Sequence, residues 1–189
     1  MSIAGIFQFL VTMWWISEVG LLLFTHTRKS QGSLGDRGSL LLLWPTIGLF
    51  IWLGTSFGGK HPHTLFSGAP WLISLALALL IVGLVVRWVA ILSLGRAFSV
   101  NVAIQTNQQV NQSGPYRFVR HPSYSGLLLA LLAIGIATRN WMALLIVVVP
   151  PVLALLYCIH VEEGALTTAF GSEYSAYSAR TKRLIPGVY

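Results

Sequence analysis

The side chains best suited to chemistry crowd into one stretch: Tyr116, Arg117, Arg120, His121, Ser123 and Tyr124 all fall in GPYRFVRHPSYSG, from Gly114 to Gly126. Pro122 marks the start of the apolar helix that follows, since the residue before a proline avoids the helical basin and proline is tolerated in a first turn. The cluster therefore caps a helix N-terminus, where free amides and the positive end of the dipole favour an anionic group such as a ligand carboxylate. Glu162 and Glu163 form a second constellation, conspicuous in a chain with only five acidic residues. Carboxylates near a helix C-terminus oppose the dipole, so a cationic partner is expected: Arg87, Arg120, Arg183 or a bound cation. If the helix runs on through this point, Cys158 and Glu162 share one face and His160 and Glu163 another, which places an acid and a possible base at the membrane edge. Arg87 is the third feature, because it sits inside the apolar run LLIVGLVVRWVAILSLG. An intramembrane arginine faces a cavity or a partner, or snorkels to the surface; its expected partner is a substrate's negative group or one of the two glutamates.

These residues need elements to hold them, and composition dictates the solvent of those elements. With 55% hydrophobic and 9% charged residues, the chain reads as an all-α, polytopic integral membrane protein. Segments near Ile3–Phe24, Leu40–Phe57, Trp71–Leu94, Tyr124–Thr138 and Trp141–Ile159 give about five transmembrane helices. The fourth is short, and only Arg139 and Asn140 separate it from the fifth, which predicts a tight helical hairpin. The first apolar run is long and lacks a basic leader, so no cleaved signal peptide is expected. Nine of the twelve basic residues flank one side, which predicts an outside N-terminus and a cytoplasmic C-terminus. The net charge of +7 suits anionic lipid headgroups, and no nucleic-acid module is visible.

The single cysteine, Cys158, excludes an internal disulfide. No metal site is expected, since His61 and His63 flank Pro62 without further ligands. Asn111-Gln112-Ser113 fits the glycosylation pattern, but its predicted cytoplasmic placement argues against use. The chain reads as one domain, 1–189, in which 1–86 is mainly anchoring helices without assigned chemistry and 87–189 is the catalytic core. The amide-rich loop from Gly95 to Ser113 leads straight into the arginine and histidine cluster and is able to close over a polar ligand.

At these positions the chain resembles the isoprenylcysteine carboxyl methyltransferase family. The residues that carry the resemblance are Arg87-Trp88-Val89-Ala90 with Leu94-Gly95, Gly114-Pro115-Tyr116-Arg117, Arg120-His121-Pro122-Ser123-Tyr124-Ser125-Gly126, Glu162-Glu163, Phe170-Gly171-Ser172-Glu173-Tyr174 with Tyr177, and Arg183-Leu184-Ile185-Pro186. The resemblance implies S-adenosyl-L-methionine as cofactor, in a cytoplasmic pocket built without a Rossmann fold. Its lining would be Gln105, Gln108, Gln109, Val110, Asn111, Tyr116, Arg120, His121, Pro122, Ser123, Tyr124, Glu162 and Glu163. It also implies methyl transfer to a lipophilic, prenylated or lipid acceptor among the membrane lipids, with Arg87, Glu162 and His160 as catalytic candidates. The QQVN at Gln108–Asn111 and Cys158, where the family carries an arginine, depart from the family pattern. Phospholipid N-methylation, thiol methylation and a non-catalytic scaffold of the same fold remain as alternatives. So short a chain suggests a prokaryotic-type member, in a bacterial or archaeal cytoplasmic membrane.

Overall fold

A computed structural model describes residues 2–27, 37–61, 69–94 and 110–189. Gln105, Gln108 and Gln109 of the amide-rich loop, and His63, lie outside them. The described residues form six α-helices: α1 (Ile3–Thr27), α2 (Arg37–Lys60), α3 (Trp71–Leu94), α4 (Pro122–Ala137), α5 (Trp141–Phe170) and α6 (Ser172–Arg180). A 3-10 turn, Gly114–Arg117, precedes α4. Among the described residues the one β-type contact is an isolated parallel bridge between Val119 and Lys182.

Four helices, α1, α2, α3 and α5, are long and apolar enough to cross a membrane. The fourth apolar segment is shorter than a span. At 16 residues, α4 is about 24 Å long at 1.5 Å per residue, short of a ~30 Å hydrocarbon core. It pairs with α5 in the expected hairpin, turning through Arg139, whose φ of 55° lies in the left-handed region. Asn140 caps α5 by accepting from the amides of Met142 and Ala143, and its side-chain nitrogen donates to the His61 carbonyl at 2.9 Å. That last bond ties the hairpin turn to the end of α2.

Glycine decides how closely α3 and α4 approach. A Cβ on Gly126 would stand 2.5 Å from the Gly83 carbonyl oxygen and 2.7 Å from the Arg87 backbone nitrogen. A Cβ on Gly83 would stand 2.7 Å from the Gly126 carbonyl oxygen. The two backbones therefore touch, as small residues allow between membrane helices, and Arg87 is pressed against the first turn of α4. Trp14, Ile47, Leu80, Leu127, Leu131, Val147 and Leu155 fill the interior between helices. Trp52, Val85, Leu92 and Leu153 point outward, an apolar exterior suited to hydrocarbon rather than water.

Two elements differ from expectation. α5 continues past Ile159 to Phe170, so both glutamates lie within the helix. Its 30 residues make a rod of about 45 Å that outruns the hydrocarbon layer. The polar SEYSAYSAR segment then forms α6, a helix that apolar periodicity over spanning lengths does not reveal.

Candidate functional site

His121 joins the two constellations. Its ring is almost wholly buried, with Nδ1 3.5 Å from Glu162 and Nε2 3.4 Å from Glu163. It stacks on Tyr124 at 5.7 Å between centroids. Burial alone would lower the imidazole pKa, but the two carboxylates outweigh it and hold the pKa above its ordinary value. The extended α5 thus delivers adjacent glutamates to the two nitrogens of one histidine.

The glutamates have different neighbours. Glu163 accepts from Arg120 Nε at 2.8 Å and from Arg183 Nε at 2.9 Å, with Arg183 Nη2 at 2.8 Å. Arg120 also donates to the carbonyls of Ser178, at 2.8 Å, and Thr181. Backbone bonds reinforce the junction: the Arg120 amide donates to the Lys182 carbonyl at 2.8 Å and the His121 amide to the Arg183 carbonyl at 3.0 Å. The Ser125 hydroxyl adds a bond to the Leu184 carbonyl at 2.6 Å. Glu163 and Arg120, expected to line a ligand pocket, form the clasp that holds the C-terminal segment against α4 and α5. Glu162 keeps 30% of its side chain exposed, and among the described residues no arginine lies on it.

Tyrosines line the same region. Tyr116 is buried, its hydroxyl donating to the Ala90 carbonyl at 3.4 Å. Burial and then the Glu162 charge raise the Tyr116 pKa well above the phenolic range. Tyr177 of α6 donates to the Tyr116 carbonyl at 2.6 Å, and burial pushes its own pKa up to about 12. Tyr124 lies within hydrogen-bonding reach of Glu162. The phenols are therefore neutral hydrogen-bonding groups at physiological pH. Val110 and Asn111 sit at the rim: the Val110 amide donates to Glu173 at 3.2 Å, and Asn111 Nδ2 donates to the Ser93 carbonyl at 3.1 Å. At the start of α4, the amides of Tyr124 and Ser125 already donate to the His121 carbonyl. The cradle of free donors expected after Pro122 is correspondingly reduced.

Arg87 is where the structure corrects the sequence reading. Its partner is neither Glu162 nor Glu163 but Glu18 of α1, which it grips bidentately through Nε and Nη2. Both side chains are buried, at 5% and 1% exposure, so snorkelling is excluded as well. Trp14 Nε1 donates to the same Glu18 at 2.8 Å, and the guanidinium lies 5.7 Å from the Trp44 ring centroid. Arg87 Nη1 donates to the Ser123 hydroxyl at 3.0 Å and to its carbonyl at 3.3 Å. The anchoring helices thus contribute a residue to the cluster that the sequence reading left without a role. A signal was present, because a carboxylate in an apolar helix is as anomalous as an arginine. His160 is exposed; the imidazole that meets the glutamates is His121. Cys158, four residues before Glu162, is buried, and no metal-ligand cluster occurs among the described residues.

Fold and site together define a polytopic α-helical membrane protein whose polar residues converge on the N-terminus of a short helix and the overhanging end of a long one. Residues 76–168 match the model of the isoprenylcysteine carboxyl methyltransferase (ICMT) family, and the chain is similar to that family over this segment. It is 28% identical over 130 residues to protein-S-isoprenylcysteine O-methyltransferase B of Arabidopsis thaliana, covering 62% of this chain and 61% of that protein. It is 31% identical over 121 residues to a probable protein-S-isoprenylcysteine O-methyltransferase of Oryza sativa subsp. indica, covering 61% of this chain and 62% of that one. The matched region thus spans about three-fifths of the length of these relatives. Among solved structures, the eukaryotic intramembrane Ras methyltransferase ICMT superposes with a TM-score of 0.68 at 21% identity, over 98% of this chain and 67% of that one. That likeness concerns the fold.

Proposed function

We propose that this chain is an S-adenosyl-L-methionine-dependent methyltransferase acting on a lipophilic, membrane-embedded acceptor of the S-prenylcysteine kind. The observation that carries the reading is the meeting of His121, Tyr124 and Glu162 at the membrane edge, inside the segment that matches the family. The donor set fits a cofactor with cationic ammonium and sulfonium groups: Glu162 is a partly exposed carboxylate that no arginine pairs among the described residues, and its charge acts on the phenols of Tyr116 and Tyr124. Those residues, with Ser123 and Asn111, would hold it, and when bound it supplies an electrophilic methyl group. Residues 87–189 are the catalytic core in this reading, with the C-terminus on the cytoplasmic side of a bacterial or archaeal membrane.

The chain's own residues then have separable tasks. Glu162 binds and orients positive charge, and His121 fixes that carboxylate through Nδ1. The neutral phenols contribute ring faces and hydroxyls. Burial of Tyr116 and His121 keeps water from the inner side of the cluster, which strengthens the electrostatic contacts there. An acceptor carboxylate is already ionised near neutral pH and needs no base; an amine or thiol acceptor would pass its proton to the Glu162–His121 pair. Alignment of the acceptor is the main catalytic contribution expected of the protein.

Calorimetric titration of S-adenosylhomocysteine into the full chain in detergent tests the cofactor assignment, with Glu162→Gln as control. Saturable binding that weakens in the variant is expected; absence of binding by the wild type would leave a non-catalytic scaffold. Methyl transfer to an S-prenylcysteine analogue, compared with phosphatidylethanolamine, identifies the acceptor class.

A further inference from the structure

The buried Glu18–Arg87 pair lies partly outside the segment that matches the family, since α1 precedes residue 76. Charge in the interior of a membrane helix bundle is expensive, and replacing such a pair by apolar residues is often neutral or stabilising. Stability alone is therefore a weak reason for its presence. Its geometry is more telling. A guanidinium carries five donors in a rigid planar fork, and a carboxylate that takes the Nε and Nη2 edge fixes the direction of the remaining nitrogen. Here that nitrogen, Nη1, meets the hydroxyl and carbonyl of Ser123. Ser123 stands in the first turn of α4, between His121 and Tyr124. Trp14 fastens Glu18 from the preceding turn of α1, so neither partner of the pair is free to rotate. Beside the guanidinium, Trp44 Nε1 is a buried donor without a hydrogen-bond partner among the described residues.

We infer that Glu18 is a positioning residue: it locks Arg87 in the rotation that presents Nη1 to Ser123 at the start of α4, and so sets the geometry of the site at that point. The inference rests on the methyltransferase reading only for its kinetic consequence. Without Glu18, the Nε–Nη2 edge of Arg87 loses its only buried carboxylate among the described residues, and the guanidinium is free to turn. With Glu18 present, Ser123 and the first turn of α4 meet one fixed donor, held beside the Trp44 ring.

The test compares wild type, Glu18→Gln, Glu18→Asp and the charge swap Glu18→Arg/Arg87→Glu in the full chain in detergent. Arginine side-chain 15N NMR, assigned with Arg87→Lys, reads rotation about the Arg87 guanidinium directly. Slow rotation in the wild type and fast rotation in Glu18→Gln is expected, with partial restoration in Glu18→Asp. In turnover of an S-prenylcysteine analogue, Glu18→Gln should lower kcat/KM by about tenfold or more. Should Glu18→Gln fail to fold, the swap keeps an ion pair but moves the guanidinium onto α1, and it should fold without turnover. Equal rotation in wild type and Glu18→Gln, unchanged kinetic constants in that variant, or an active swap would each overturn the lock. A wild type with slow rotation but no turnover on any acceptor would instead remove the methyltransferase reading and leave the lock standing.

Discussion

Adjacent Glu162 and Glu163 should have opposite phenotypes, and the structure sets the size of the difference. Glu163→Gln removes the charge on which Arg120, Arg183 and His121 converge, and leaves the shape of the side chain in place. The Arg120–Glu163 pair is largely buried, at 10% and 13% side-chain exposure, and breaking a buried pair from one side costs roughly 3–5 kcal/mol. Arg120 keeps its bonds to the Ser178 and Thr181 carbonyls, which puts the loss at the lower end, about 3 kcal/mol. Arg183 is 36% exposed, so solvent screening limits its share to about 0.5 kcal/mol. The total is roughly 3.5 kcal/mol. Equilibrium unfolding in mixed micelles should show it directly, and limited proteolysis should cut the segment after α5 first, because Glu163 is the clasp's anionic centre. Glu162→Gln should destabilise less than Glu163→Gln, since Glu162 is 30% exposed and pairs with His121 but with no arginine among the described residues, while losing S-adenosylhomocysteine affinity. Equal destabilisation by both variants, or none by Glu163→Gln, would refute the division of the pair into a structural and a ligand-facing carboxylate.

Gly126→Ala puts a methyl group against the backbones of Gly83 and Arg87, which cannot rotate away; a loss of about 1–3 kcal/mol is expected, measured by thermal unfolding, and a stable variant would show that α3 and α4 do not touch there. The His121 pKa is raised in the folded chain by Glu162 and Glu163, against burial and in the presence of Arg120 and Arg183. Its contribution to stability is therefore complete below the ordinary histidine pKa and is lost as pH rises through the folded value. The unfolding temperature should fall across that interval in the wild type, and His121→Gln should flatten the profile. Tyr174 is buried with a hydroxyl that has no hydrogen-bond partner among the described residues, so Tyr174→Phe should leave the fold at least as stable. A loss above about 1 kcal/mol on denaturant unfolding would reveal an unseen hydrogen bond.

Local chemistry made much of this protein legible in its sequence. Long apolar runs dictate membrane helices because backbone groups in hydrocarbon must bond within their own segment, and α3 begins and ends where its apolar run does. Pro122 and Asn140 each mark a helix start through their own backbone or side-chain chemistry, and the two-residue gap before Trp141 implies the hairpin. The resemblance to a family likewise lay in contiguous motifs. Partner choice was not local. Glu18 and Arg87 are 69 residues apart, and their meeting depends on how far α1 and α3 rotate and on the glycine contact that brings α4 alongside. Likewise, whether Glu162 or Glu163 faces the arginines is a matter of about 100° of helical rotation between neighbours on α5, which periodicity fixes only relative to an unknown packing direction. α6 escaped notice because its nine residues are polar, and such a short helix is held by tertiary contacts rather than by its own propensity. Sequence determined which residues are expensive to bury; packing decided which opposite charge, and which serine, each of them would meet.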